Sequence, residues 1–193
     1  MKTPLIFDIK RSTTADGPGM RTAIFFKGCN LDCYWCHNPE SKSAEREKAF
    51  FKEKCISCGA CRKICENDAA HHTVRENAAK SYILSESDTN TCTVCGKCAT
   101  VCPTGAVKVY GKGYTPDEIF EIIKRDAPYF DATGGGVTLS GGECMLYPDF
   151  VTEIAKRCHA CQISVAIDTA GAVPFSSFEK LVLFSSTINF RKL

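Results

Sequence analysis

Fourteen of the 193 residues are cysteine, and most of them fall into three regular groups. The first is Cys29, Cys33 and Cys36, spaced C-x3-C-x2-C. The second is Cys55, Cys58, Cys61 and Cys65; the third is Cys92, Cys95, Cys98 and Cys102. Cys144, Cys158 and Cys161 lie outside the groups. Thiols at this density belong either to a disulfide framework or to metal chemistry. Between Met1 and Lys10 the only consecutive apolar stretch is Leu5, Ile6 and Phe7, too short for the core of an export signal. A cytoplasmic, reducing location is therefore expected, and there metal binding or catalysis outranks disulfides.

The second and third groups form an internal repeat at an offset of 37 residues, from Cys55 to Cys92. CISCGACRKICENDAA aligns with CTVCGKCATVCPTGAV, so that Gly59 matches Gly96, Ile64 matches Val101 and Ala69 matches Ala106. Each copy reads C-x2-C-x2-C-x3-C, the bacterial ferredoxin spacing. Three thiolates two residues apart wrap one four-iron cubane, and a glycine between them permits a tight turn. The fourth thiolate points to the other cluster. The expected ligand sets are Cys55, Cys58, Cys61 with Cys102, and Cys92, Cys95, Cys98 with Cys65. Pro103 follows the last cysteine, whereas Glu66 stands in the equivalent place of the first copy. Zinc is the competing reading, but zinc knuckles favour paired C-x2-C units over four cysteines in so short a run.

The first group has three cysteines, and three thiolates leave one iron of a cubane without a protein ligand. An open position on a metal is where substrate binds. The alternative is a fourth ligand elsewhere, such as His37 or Cys144.

Hydrophobic residues make up 44% of the chain and charged residues 24%, so a packed core is expected and disorder is not. A net charge of +2 provides no basic field for nucleic acid. No apolar run approaches the length of a membrane span. Arg21 to Phe26 (RTAIFF) reads as a buried strand, Val137 to Ser140 as a second and Ile163 to Ile167 as a third. Thr115 as N-cap with Pro116 at the first position starts a helix whose apolar face is Ile119, Ile122 and Ile123. Asp149 to Cys161 reads as another helix, and Pro174 to Leu181 as a third. Between the halves of the repeat, Glu66 to Thr91 reads as a loop or hairpin. Strands alternating with helices predict α/β structure with a parallel sheet. The Cys29–Cys36 loop, Gly141–Glu143 and Asp168–Thr169 all follow strand ends, the edge where parallel barrels carry their sites.

Four stretches together carry a resemblance: DGPGMRT (Asp16 to Thr22), CNLDCYWCHNP (Cys29 to Pro39), SGGE (Ser140 to Glu143) and DTAG (Asp168 to Gly171). The chain resembles the radical S-adenosylmethionine superfamily, and within it the activating enzymes of glycyl radical enzymes that carry a double ferredoxin insert. The resemblance implies a partial (β/α) barrel over 1–47 and 114–193, with a ferredoxin-like two-cluster insert over 48–113. It implies three 4Fe–4S clusters, the first held by Cys29, Cys33 and Cys36 and binding S-adenosylmethionine through its open iron. It further implies that Trp35 and His37 flank the adenine, that Gly141, Gly142 and Glu143 meet the methionyl amino end, and that Asp168 and Thr169 lie near a monovalent cation. Bland alternatives stand beside these: Trp35 as packing, Asp168–Thr169 as a helix cap, Cys144, Cys158 and Cys161 as core thiols. The implied partners are a glycyl radical enzyme as protein substrate and a flavodoxin or ferredoxin as electron donor. The insert is expected to relay electrons or to help dock the partner.

The family barrel has about six strands, and after Lys180 a strand ending in Asp-x-Lys is expected. Here the chain reads LVLFSSTINFRKL, so a C-terminally truncated product is expected. The opposing reading is a non-enzymatic iron–sulfur electron carrier, or an inactive remnant of the activase.

Overall fold

A computed structural model describes residues 3–69, 83–85 and 92–190. The chain divides into two compact units, 1–45 with 111–193, and 46–110. The strands are β1 (Leu5–Thr13), β2 (Arg21–Phe26), β3 (Glu47–Phe50), β4 (Ile83–Ser85), β5 (Val107–Tyr110), β6 (Lys112–Gly113), β7 (Gly136–Gly141), β8 (Ser164–Thr169) and β9 (Thr187–Phe190). The α-helices are α1 (Ala60–Lys63), α2 (Lys97–Thr100), α3 (Pro116–Lys124), α4 (Ala127–Thr133) and α5 (Pro148–Ala160). Among the described residues no helix is long and apolar enough to cross a membrane.

The first unit is mixed α/β, built on one sheet ordered β6-β1-β2-β7-β8-β9. β2, β7, β8 and β9 run parallel, while β1 pairs antiparallel with β2 and β6. Among the described residues the sheet is open, with β6 and β9 at its edges. The three strands expected from sequence are β2, β7 and β8. β1 was not expected, because Asp8, Lys10 and Arg11 break its apolar pattern. The LVLFSSTINFRKL stretch contains β9, a fourth parallel strand registered on β8 from Ala166↔Thr187 to Thr169↔Phe190.

One expected helix is corrected. Pro174 to Leu181 forms a 3-10 turn at Phe175–Ser177 followed by isolated turns, not an α-helix. Only Phe178 and Leu181 of this stretch are buried, and no side chain caps its start. Two anchors and a Phe-Ser-Ser start with poor helix propensity do not sustain a longer helix.

Alternation along the parallel strands sorts the two faces of the sheet. Ile24, Phe26, Val137, Leu139, Val165 and Ile167 join the main apolar core with Ile119 and Ile123 of α3 and Phe150, Val151 and Ile154 of α5. Helix α3 starts in a capping box, with Glu118 N donating to Thr115 Oγ1 and Thr115 N donating to the Glu118 carboxylate. The intervening residues Ala23, Phe25, Thr138, Ser140, Ala166 and Asp168 belong to the other, more polar face.

At the opposite end of β2 from the cysteine loop, Arg21 is 1% exposed and donates to Thr138 Oγ1 (2.7 Å) and to the carbonyls of Val137 (2.5 Å) and Pro18 (3.3 Å). Asp126 is 1% exposed and accepts from Arg11 Nε (3.0 and 3.1 Å) and from the hydroxyl of Thr22 (2.6 Å). Burial pushes the Asp126 carboxyl up, but hydrogen bonds from Arg11 and Thr22, with the guanidinium charge, outweigh it and hold the group below its usual 3.8. A folded value below the unfolded one stabilises the protein above the unfolded value and is lost as pH falls through the folded one. The stability gap between wild type and Asp126→Asn is therefore expected to be constant above about pH 5 and to shrink below about pH 4. Denaturant melts across this range measure it; a gap of the same size at both extremes would rule the linkage out.

The second unit is a three-stranded antiparallel sheet, β4-β3-β5, with α1 and α2 packed together. The rest of the expected loop or hairpin between the repeats, 70–82 and 86–91, lies outside the described residues. The sequence repeat is also a repeat of backbone conformation. Residues 37 apart share the left-handed region: Ser57 and Val94 (φ 55° and 49°), Gly59 and Gly96 (73° and 87°), Asp68 and Gly105 (49° and 65°). Helices α1 and α2 begin at equivalent positions, each with its glycine as N-cap. A Cβ built on Gly59 meets nothing within 4 Å, so the turn's φ, not space, favours glycine there.

Candidate functional site

The loop bearing Cys29, Cys33 and Cys36 leaves the C-terminal end of β2 and is clamped at its base. Gly28 N donates to Ser41 O (2.7 Å) and Cys29 N to Lys42 O (3.0 Å), so both ends of the loop meet. Lys27, fully buried, donates from Nζ to Glu40 O and Ser43 O, both at 2.9 Å. Within the loop, Cys36 N donates to Cys33 O (3.1 Å). Burial pushes the Cys29 thiol up, and the Glu143 carboxylate adds to that push.

The turn after β7 locks onto this base. Gly142 N donates to Phe26 O and Glu143 N to Gly28 O, both at 2.9 Å. A Cβ on Gly141 would stand 2.2 Å from Phe26 N, and one on Gly142 would stand 2.3 Å from Gly28 O. The two glycines thus allow two stretches of backbone to touch. The end of β8 completes the arrangement. Ser140 Oγ donates to Asp168 Oδ2 (2.8 Å), and Asn30 of the cysteine loop reaches Ala172 O (2.6 Å).

A cavity of about 240 Å³ opens between these three segments. Cys29, Cys33, Cys36, Trp35, His37, Gly141, Gly142 and Asp168 line it. So do Leu31, Asn38, Ser41 and Ala170, which sequence reasoning did not single out. Trp35 is 61% exposed, which places it at the rim and not in the core.

Glu143 and Thr169 are not among the lining residues. Glu143 is fully buried; its Oε1 accepts from Met145 N (2.9 Å) and Thr169 Oγ1 (2.7 Å), and its Oε2 from Ala170 N (2.9 Å). Thr169 in turn accepts from Gly171 N (2.9 Å). The expectation put Glu143 on a bound ammonium and Thr169 near a cation. Here they form a strut that ties the turn after β7 to the end of β8. Nothing in SGGE or DTAG alone signals that pairing.

The second unit holds two further cavities with crossed linings. Cys92, Cys95 and Cys98 share one with Cys65. Cys55, Cys58 and Cys61 share the other with Cys102. Among the described residues no three His, Cys, Asp or Glu side chains converge on the position of a single metal ion. Thiolates around a four-iron box surround a volume, not a point. Thiolates are also the soft donors that iron–sulfur clusters require. Backbone amides already serve the sulfurs: Ala69 N donates to Cys65 Sγ (3.2 Å) and Ser57 N to Cys55 Sγ (3.4 Å). For Cys102, burial pushes the thiol up, but amides of Val107, Thr104 and Ala106 and the Thr104 hydroxyl together bring it below its ordinary value.

Of the remaining cysteines, Cys144 is buried in the main core, its thiol near Leu139 O. Cys158 is buried in α5, where desolvation pushes it up to about 12. Cys161 is exposed.

A family profile described as a 4Fe-4S dicluster domain matches residues 54–106. The benzylsuccinate synthase activating enzyme of Thauera aromatica is 39% identical over 170 residues, 88% of this chain and 50% of that protein. Over most of its length the chain is similar to activating enzymes of glycyl radical enzymes. A second such activating enzyme, for indoleacetate decarboxylase in Tractidigestivibacter scatoligenes, is 37% identical over 180 residues, 92% of this chain and 57% of that one. A third, for choline trimethylamine-lyase in Oleidesulfovibrio alaskensis, is 37% identical over 167 residues, 86% and 52%. The chain therefore spans little more than half the length of the activating enzymes it matches.

Proposed function

We propose that this chain carries the cofactor-cleaving part of a radical S-adenosylmethionine activating enzyme whose protein substrate is a glycyl radical enzyme. The supporting observation is the single cavity at the C-terminal ends of β2, β7 and β8, which gathers three thiols, two glycine backbones, an aromatic rim and a carboxylate. In this reading the open sheet is part of a (β/α) barrel, with the two-cluster insert as a separate unit. The first cluster, when bound, supplies the electron that splits the sulfonium and leads to hydrogen abstraction from a glycine of the partner.

The chain's own residues then have distinct tasks. Cys29, Cys33 and Cys36 hold three irons and leave the fourth open. Gly141 and Gly142 leave backbone exposed to the methionyl end, Trp35 and His37 flank the adenine, and Asp168 provides a fixed negative charge, oriented by Ser140, for a monovalent cation. Lys27 and the Glu143–Thr169 strut keep those segments in place. The sets Cys55, Cys58, Cys61, Cys102 and Cys92, Cys95, Cys98, Cys65 hold two more cubanes, which relay electrons from a flavodoxin or ferredoxin in the cytoplasm. The chain is reconstituted anaerobically with iron and sulfide, reduced and mixed with S-adenosylmethionine. The expected results are a changed electron paramagnetic resonance signal from the loop cluster and formation of 5′-deoxyadenosine. An unperturbed signal with no 5′-deoxyadenosine would instead favour a simple electron carrier.

A further inference from the structure

The two cavities of the second unit are built on the two copies of one repeat but stand on different floors. Their floor is the sheet, and each rests on one cross-strand pair of β3 and β5. Lys48 opposite Val109 lies under the cavity of Cys65, Cys92, Cys95 and Cys98. Phe50 opposite Val107 lies under the cavity of Cys55, Cys58, Cys61 and Cys102. Lys48 and Phe50 are two residues apart and so share a face of the strand. Equivalent floor positions thus carry a cation in one cavity and a phenyl ring in the other.

Lys48 is only 4% exposed, and its Nζ donates to Ala69 O (3.2 Å), the carbonyl of the residue whose amide serves Cys65. The other charges lining this cavity, Glu66 and Lys97, form an exposed ion pair at 2.5 Å and cancel in first order. The cavity over Phe50 is lined by cysteines, apolar residues, Gly59 and Thr104, with no charged side chain among the described residues. Hydrogen bonds serve sulfurs in both cavities, more of them over Phe50, where Val107, Thr104 and Ala106 serve Cys102 and Ser57 serves Cys55, so the charge of Lys48 must outweigh that difference.

A reduced cluster carries one more negative charge than an oxidised one. A nearby buried cation stabilises the reduced form and raises the potential, and low exposure limits screening. We propose that Lys48 is a positioning charge that makes the two clusters unequal, so that the one over Lys48 takes the first electron. This rests on the reading that both cavities hold four-iron cubanes.

The test uses the full chain carrying Cys29, Cys33 and Cys36 changed to Ala, so that only the second unit's clusters contribute. Redox titration is followed by electron paramagnetic resonance, with iron assayed beside it. The reference chain is expected to bind two four-iron clusters and reduce them in two steps. Lys48→Gln keeps a donor for Ala69 O but removes the charge. It should lower the first midpoint until the equilibrium constant for sharing the electron falls at least tenfold, about 59 mV for one electron. The second midpoint should move less. Lys48→Arg keeps the charge and should retain the wild-type separation. Unchanged midpoints in Lys48→Gln at full iron content would overturn the proposal. If Lys48→Gln loses iron, Lys48→Arg with full iron decides: wild-type separation supports the charge, and merged steps overturn it. Absence of two clusters in the reference chain would instead sink the cluster reading itself.

Discussion

Changing Cys29, Cys33 and Cys36 together to alanine is expected to remove about one third of the bound iron, roughly four of roughly twelve atoms, and all cleavage of S-adenosylmethionine. The three side chains line one cavity in the first unit, and the eight thiols of the repeats line two others in the second. Loss at the first site should therefore leave the others loaded. The effect on cleavage should be complete, because among the described residues no other thiol lines that cavity. Iron and sulfide assays on the reconstituted variant, with 5′-deoxyadenosine measured beside them, give the answer. Iron content equal to wild type would show that the loop does not hold a cluster.

The second large effect is expected at Glu143. Its two oxygens accept three hydrogen bonds in a fully buried setting. Glu143→Ala leaves Met145 N, the Thr169 hydroxyl and Ala170 N without their acceptor. A loss of about 3–5 kcal/mol follows, a large share of the ~5–15 kcal/mol typical of a domain. Glu143→Gln retains one oxygen but sets an amide nitrogen against the remaining donor, and should cost about 1–3 kcal/mol. Denaturant unfolding of the three proteins ranks them. If Glu143→Ala were as stable as wild type but failed to bind S-adenosylmethionine, the carboxylate would belong to the ligand and not to a strut.

The legible and illegible parts of this chain divide along a physical line. Thr115-Pro-Asp-Glu118 announces its helix because a capping box is local chemistry. RTAIFF and VTLS announce buried parallel strands because both of their faces need apolar or small residues. The cysteine spacings of the repeat are legible because a 4Fe-4S dicluster domain needs its thiols at fixed intervals. What escaped depends on partners distant in sequence. β1 is held by β2 and β6 despite Asp8, Lys10 and Arg11. The stretch after Pro174 has some helical spacing but only two buried anchors. Glu143 finds Thr169 and Ala170 across 26 and 27 positions, and nothing near it predicts that contact. Lys48 gains its meaning only from register, because the pairing of β3 with β5 sets it beneath one cavity and Phe50 beneath the other.

The crossed linings have a consequence for assembly. Each half of the repeat contributes three thiols to its own cavity and a fourth to its neighbour's, so neither half can complete a set of four by itself. A chain that folds one half first holds an unfinished socket until the other arrives. Metal loading in this unit should then be all-or-none: under iron scarcity a population would divide into empty and full molecules, with few carrying one cube. The same exchange explains how a duplicated segment can stay together. Deleting either copy would strip both sockets at once, so the two copies persist or vanish as one inheritance.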